Sequence, residues 1–112
     1  MEIINSENYC VIKPFAQKLD WRETQRIFNE VENSGYKSIG FDLSFVEECS
    51  FEFINILKNF STDFRISLFN IPSDIFVLLS FMNMDKTFAL FVSENDFQDS
   101  LHQLVMRRFN VV

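Results

Sequence analysis

Short apolar runs alternate along the chain with longer stretches of helical periodicity. Strands are predicted at residues 2–4, 9–15, 36–43, 64–69 and 87–92, the first two joined by a polar turn. Helices are predicted from residue 21 to 32, at 51–60, at 72–82 and from residue 93 onward. The order ββαβαβαβα predicts one α/β domain over residues 1–112, with an N-terminal hairpin, four helices and a mostly parallel sheet of four to five strands.

Capping residues mark the helix boundaries. Asp20 is a favoured N-cap, and Glu23 three residues later completes a capping-box pattern. Gly35 follows the end of the same helix, where a left-handed residue is common. The last helix is expected to be held by Phe97 and by further residues at helical spacing, which are Leu101, Leu104, Val105 and Arg108.

The carboxyl ends of the strands are the predicted site. In parallel sheets, ligands and partners meet this edge. It would present Asp42 at the end of strand 36–43, the turn at residues 44–50 and, if the hairpin lies beside that strand, Asp20.

Two helices are more apolar than one core-facing stripe requires. In helix 51–60, the stripe consists of Phe53, Ile56, Leu57 and Phe60, which leaves Phe51 and Ile54 either exposed beside Phe45 as a docking patch or covered by a neighbouring element. In helix 72–82, Ile75, Leu78, Leu79 and Met82 can face the sheet, whereas Phe76, Val77 and Phe81 point elsewhere. The last helix, a partner or a second copy in a homodimer could cover them.

Charge and composition exclude several functions. Ten basic and sixteen acidic residues give a net charge of −6, which disfavours nucleic acid and anionic lipid as partners. No run approaches the ~18 apolar residues of a membrane span, and no targeting segment is seen, so we expect a cytoplasmic protein. Two cysteines without ligand spacing predict no metal site. One histidine, His102, and two glycines predict neither catalysis nor a cofactor.

Several short motifs resemble those of STAS domains, the anti-sigma factor antagonist family. They are LD at residues 19–20, IGFDLS at 39–44, NIPS at 70–73, MDKTF at 84–88 and SEND at 93–96. The resemblance implies a non-catalytic protein-interaction module that binds a regulatory partner, often a serine kinase that is also an anti-sigma factor. The partner-binding residues it implies are Asp20, Asp42, Ser44, Phe45, Glu48, Cys49, Ser50, Phe51, Glu52, Ile54 and Asn55.

The sequence departs from the family at the phosphorylation motif. Gapless counting places residues 50–53 on D-S-[ST]-G, so that Glu52 replaces the acceptor serine; a slip of one or two residues would instead align Cys49 and Ser50 with the serines. Glu52 is also an ordinary residue for a first helical turn, and Ser50 is either an N-cap or an alternative phosphorylation site. Switching by phosphorylation is therefore predicted to be lost or altered.

Two other functions remain open from the sequence. The chain could be a STAS-like accessory subunit of an ABC-type membrane transport complex that contacts its ATPase. It could also be a small enzyme of flavodoxin-like shape, which would need a deep polar pocket at the strand carboxyl ends.

Overall fold

A computed structural model describes residues 1–84 and 86–100 of the chain. Its strands are β1 (Glu2–Asn5), β2 (Cys10–Lys13), β3 (Lys18–Leu19), β4 (Ser38–Asp42), β5 (Glu48–Cys49), β6 (Arg65–Phe69) and β7 (Ala89–Phe91). Its helices are α1 (Trp21–Asn33), α2 (Phe51–Phe60), α3 (Ser73–Phe81) and α4, which is described over residues 94–100. The predicted order of elements is confirmed. The residues expected to hold the last helix beyond Phe97 lie outside the described part.

The main sheet has the order β1-β2-β4-β6-β7. β1 pairs antiparallel with β2, and the other neighbours are parallel, as predicted. β2 ends at Lys13, before the predicted residue 15, because Pro14 has no N–H to donate to a ladder. A second, two-stranded parallel sheet of β3 and β5 was not predicted, since two residues are too few to show a periodicity.

One face of the main sheet packs against α1, α2 and α3. Cys10, Ile12, Ile39, Phe41, Ile66 and Leu68 of the strands are buried there with Ile27, Phe53, Leu57, Ile75 and Leu79 of the helices. The helices also contact each other through aromatic rings: Phe28 of α1 stacks on Phe60 of α2 with centroids 4.8 Å apart. Burial of each Ile, Leu or Phe side chain of this core contributes about 1.5–3 kcal/mol to the stability of the fold.

The opposite face is covered where α4 begins. Phe97 is fully buried there and stacks on Phe69, with ring centroids 5.4 Å apart. It lies directly over Gly40 of β4, where a Cβ atom would be 3.0 Å from ring atoms of both Phe69 and Phe97. Glycine at this central strand position therefore allows the close approach of α4.

The termini of α1 follow the predicted signals with one difference. The N–H of Glu23 donates to Oδ1 of Asp20 at 3.0 Å, and Gly35 takes the left-handed φ of 77° after the helix. The reciprocal half of the capping box is absent, because the Glu23 carboxylate accepts from Arg26 at 3.2 Å and the N–H of Asp20 donates to the carbonyl of Lys18. Across residues 1–84 and 86–100, no helix is long and apolar enough to cross a membrane.

Candidate functional site

The parallel register brings the carboxyl ends of β2 and β4 to one edge of the sheet. The segments that follow them, together with the first turns of α1 and α2, form one surface, which we call the rim (residues 13–21 and 42–55). All eleven predicted partner-binding residues lie within these two segments. Their exposure and contacts differ, and the sequence did not predict those differences.

Asp42, the last residue of β4, contacts residues at the ends of β2 and β6. Its Oδ1 accepts the N–H of Ser44 and the side-chain amide of Asn70, each at 3.1 Å, and its Oδ2 lies 3.8 Å from Nζ of Lys13. The residue is only 6% exposed. Its carboxylate is turned inward, where it organises the loops after β2, β4 and β6, so we expect Asp42 to support the rim and not to contact a partner directly.

Lys13 links this carboxylate to an exposed aromatic pair. Its Nζ lies 4.9 Å from the centroid of the Phe45 ring, within the range of a cation–π interaction. Phe45 in turn packs on Phe15, with centroids 5.3 Å apart and an interplanar angle of 59°. Both rings are about half exposed, at 51% and 52%. The sequence indicated Phe45, but Lys13 and Phe15 were missed; an aromatic residue directly after Pro14 at a strand end was the available signal.

The small sheet fixes the position of the acidic turn at residues 44–50. The carbonyl of Gln17 accepts the N–H groups of Glu47 at 2.7 Å and of Glu48 at 3.0 Å, and Leu19 pairs with Cys49 across β3 and β5. This pairing places the N-caps that follow the two strands, Asp20 for α1 and Ser50 for α2, next to each other. The first turns of both helices therefore begin at the rim.

The first turn of α2 carries both exposed and internal residues. Ser50 caps the helix, since its Oγ accepts the N–H of Phe53 at 3.2 Å, and it is half-buried. Phe51 is 60% exposed, and Glu52 and Asn55 are exposed as well.

Ile54 does not belong to the exposed surface. It is fully buried in the main core, so of the two alternatives that the sequence left open for Ile54, exposed or covered, the structure shows the covered one. The helical pattern assigned it to the face beside the core stripe, whereas the packed helix buries Phe53, Ile54 and Leu57 and leaves Ile56 and Phe60 partly covered. A helix flanked by neighbours on both sides buries a wider stripe than the sequence period alone predicts.

Cys49 is half-buried in β5, and burial raises the pKa of its thiol to about 11. At neutral pH it is a protonated, apolar packing residue, since a reactive cysteine needs a lowered pKa. Cys10 is fully buried in β2, and burial likewise raises the pKa of that thiol.

The exposed part of the rim combines aromatic rings with carboxylates. Its exposed aromatic residues are Phe15, Trp21, Phe45 and Phe51. Its exposed acidic residues are Asp20, Glu47, Glu48 and Glu52, and its basic residues are Lys13 and Lys18. Such a surface is suited to docking another protein, because aromatic side chains supply most of the energy of protein interfaces and charges select the partner.

A groove of about 300 Å³ opens beside the rim, at the carboxyl ends of β6 and β7. Its lining residues are Asn70, Ile71, Phe76, Leu90, Phe91 and Val92, of which only Asn70 is polar. The enzyme hypothesis needed a deep polar pocket at these strand ends, and this groove is apolar and open. In residues 1–84 and 86–100, no group of three or more His, Cys, Asp or Glu side chains is placed to hold a metal ion.

The sequence matches no protein-family model and no curated protein. The structure, however, is similar to solved structures. One is the candidate anti-sigma factor antagonist TM1081 from Thermotoga maritima, with a TM-score of 0.78 and 17% identity over 90% of this chain and 93% of that chain.

The anti-sigma factor antagonist SpoIIAA is a second structural neighbour. Its unphosphorylated form gives a TM-score of 0.71 at 12% identity, covering 91% of this chain and 96% of that one. The phosphorylated form of this Bacillus cell fate determinant gives 0.65 at 12% identity, with coverages of 89% and 97%. These similarities establish the fold, which is STAS-like as expected, since the same layers are kept across almost the whole of each chain.

Proposed function

We propose that this chain is a non-catalytic, cytoplasmic protein-interaction module of the anti-sigma factor antagonist type, which binds a regulatory protein partner through the rim. The fold is that of solved anti-sigma factor antagonists. The single observation that carries the proposal is the exposed Phe15–Phe45 pair, held by Lys13 and bordered by acidic side chains.

The contacts behind the aromatic pair favour a preformed docking surface. Phe45 contacts the ring of Phe15 and the ammonium group of Lys13, and Lys13 is paired with the buried Asp42. A side chain that is ordered before binding loses less conformational entropy in the complex. We therefore expect Phe45, with Phe51 at the start of α2, to fill apolar pockets of the partner.

The charges of the rim suggest the character of that partner. Four exposed carboxylates lie in the same two segments as the exposed aromatic rings, so a complementary partner surface would be basic with apolar pockets. A partner of the kinase and anti-sigma type is the one that the family resemblance implies.

Glu52 would act as a fixed charge at the position of the phospho-acceptor. It lies exposed in the first turn of α2, where unpaired N–H groups and the helix dipole favour a carboxylate by ~0.3–1 kcal/mol. A carboxylate carries less charge and fewer oxygens than a phosphoserine, so it would imitate phosphorylation only in part. In this proposal, the module stays in one state that phosphorylation at this position cannot change.

Ser50 is a poor substitute acceptor in this arrangement. Its Oγ is the N-cap of α2, and a kinase would have to reach a half-buried hydroxyl among Glu47, Glu48 and Glu52. Phosphate added there would meet like charges, although the helix terminus itself would favour it.

Binding measurements on Glu52 variants test the site. With a purified partner, Glu52→Lys is expected to weaken binding roughly tenfold, because it reverses a charge at the interface. Asp63→Lys is the matched control: it makes the same charge change on an exposed residue just before β6, at the opposite end of the sheet. If Glu52→Lys and Glu52→Ser both bind like the wild type and the control, the rim is not the site.

Incubation with the partner kinase, followed by mass spectrometry, tests the fixed state separately. The wild-type chain is expected to remain unmodified, whereas Glu52→Ser is expected to gain one phosphate. Stoichiometric phosphate on Ser50 of the wild type would contradict the fixed state without affecting the proposed binding site.

Co-purification identifies the class of partner. Recovery of a kinase-type protein supports the proposal, whereas recovery of an ABC-type ATPase supports the alternative of an accessory subunit in a transport complex. The Phe45 and Phe51 surface would serve either interaction, so the identity of the recovered protein decides between them.

A further inference from the structure

Helix α3 carries large apolar side chains on its outer side as well as on its inner side. On its inner side, Ile75 and Leu79 are buried in the core, as the sequence predicted. On its outer side lie Ser73, Phe76, Val77, Ser80 and Phe81, all exposed. We call these five residues the α3 seam. Asp74, which is exposed next to the seam, is the only charged residue of the helix. A helix with large apolar side chains on both sides is normally covered on both, so Phe76, Val77 and Phe81 indicate a second covering surface.

The seam is one continuous strip. Its members recur at intervals of three and four residues, and side chains at this spacing lie next to each other along a helix. Val77 is at the middle of the nine-residue helix and Phe81 is one turn beyond it. The strip continues past Phe76 into the apolar groove, which Val92 borders at the end of the edge strand β7.

The described part of α4 does not cover the seam. α3 packs on the sheet face that carries Phe41 and Leu68, whereas Phe97 of α4 packs on the opposite face, over Gly40. Over residues 94–100, the two helices are therefore separated by the sheet.

We propose that the α3 seam is the interface of a homodimer, in which α3 of two copies pack antiparallel about a two-fold axis near Val77. A two-fold interface must be self-complementary, because each residue pairs with its symmetry-related counterpart. The seam meets this condition: with Val77 on the axis, the large Phe81 of one copy lies over the small side chain of the partner's Ser73.

The charge of the chain favours the same arrangement. With a net charge of −6, most contacts between two copies would oppose like charges. The seam contains no ionised side chain, and the antiparallel arrangement places Asp74 beside the partner's Ser80 and away from the partner's Asp74. The rim, in contrast, carries four exposed carboxylates and would repel its own copy.

The exposed area is sufficient for a specific contact. Phe76 is 47% and Phe81 is 82% exposed, so together they leave roughly 200–300 Å² of ring surface in solvent. Val77 and Val92 are 65% and 84% exposed and add to the same surface. Two copies together would then bury on the order of 1,000 Å², about the lower limit for specific protein interfaces.

Sedimentation velocity of the full chain between about 1 and 500 μM tests the proposal. The wild type is expected to shift from monomer to dimer, and Val77→Glu is expected to weaken dimerisation roughly a hundredfold or more, because it opposes two carboxylates on the axis. Phe51→Glu, an equivalent change at the rim, is expected to dimerise like the wild type. Circular dichroism confirms that each variant is folded.

A charge-swap mixture tests the two-fold geometry. Val77→Glu and Val77→Lys should each be monomeric alone and should form a heterodimer when mixed. A mixture that stays monomeric overturns the antiparallel arrangement. A wild type that stays monomeric at 500 μM overturns the dimer and leaves a different protein, or the chain's own residues 101–112, as the cover of the seam. Equal dimerisation of the wild type and the Val77→Glu variant would also overturn the proposed interface.

Discussion

Removal of the Asp42 carboxylate tests the contact network that shapes the rim. Asp42→Ala deprives the Ser44 N–H and the Asn70 amide of their acceptor and leaves Lys13 without its counter-ion. Asp42→Asn keeps the shape and one acceptor oxygen but removes the charge. A comparison of the two variants separates the contribution of the hydrogen bonds to stability from that of the charge on Asp42.

The contacts set the expected size of the effect. Hydrogen bonds to a charged acceptor contribute about 1.5–3 kcal/mol each. Both donors are only partly buried, so water can replace the acceptor in part and the lower value applies. The ion pair adds at most about 1 kcal/mol, because the 3.8 Å separation is long and the Lys13 side chain is 27% exposed. We expect a loss of about 2–4 kcal/mol for Asp42→Ala and about 1–2 kcal/mol for Asp42→Asn.

Equilibrium unfolding in urea at pH 7 measures both losses, with Lys13→Met as the matched variant for the ion pair alone. Lys13→Met is expected to cost less than about 1 kcal/mol of stability, and we expect it to weaken the proposed partner binding because it releases Phe45. If Asp42→Ala costs no more than Lys13→Met, the carboxylate does not organise the loops and the reasoning is refuted.

Two further predictions concern the packing of α4 and the state of a thiol. Gly40→Ala is expected to lower the free energy of unfolding by about 1–3 kcal/mol, because the added methyl group meets two buried rings at 3.0 Å; the loss should shrink in a Phe97→Leu background, and an unchanged loss there would contradict the contact. Cys49 is expected to react with iodoacetamide at pH 8 roughly a hundredfold more slowly in the folded chain than in urea, because burial raises its pKa to about 11 and little thiolate is present. Its rate should rise with pH up to about that value, whereas equal rates in the two states, measured by peptide mass spectrometry, would show that the thiol is not protected.

The structure also separates two effects that substitutions in α2 would have on the proposed partner binding. Phe51 and Ile54 are three residues apart in α2, yet only Phe51 is exposed, because Ile54 is packed in the main core. A substitution at Ile54 would reduce binding through loss of stability, and one at Phe51 through loss of contact. Binding data on this helix therefore need a stability measurement beside them.

The local signals in the sequence determined the order of elements and most helix starts. Asp20 and Ser50 cap α1 and α2 because a short polar side chain can satisfy a free N–H three residues on, which is a property of adjacent residues alone. The sequence also showed that α3 has more apolar residues than one core-facing stripe requires, since this depends only on the composition of one helix.

The tertiary structure alone decided which of the site residues face solvent. Asp42 is turned inward because Lys13 and Asn70, which are distant in sequence, reach its carboxylate. The acidic turn is held because residues 17–19 and 47–49 pair across two strands too short to give a pattern. Contacts between distant segments depend on how the layers pack, and no periodicity of a single segment contains that information. The sequence by itself thus located the two segments of the rim, and the packing of the chain determined that Phe15, Trp21, Phe45 and Phe51 are its exposed aromatic residues.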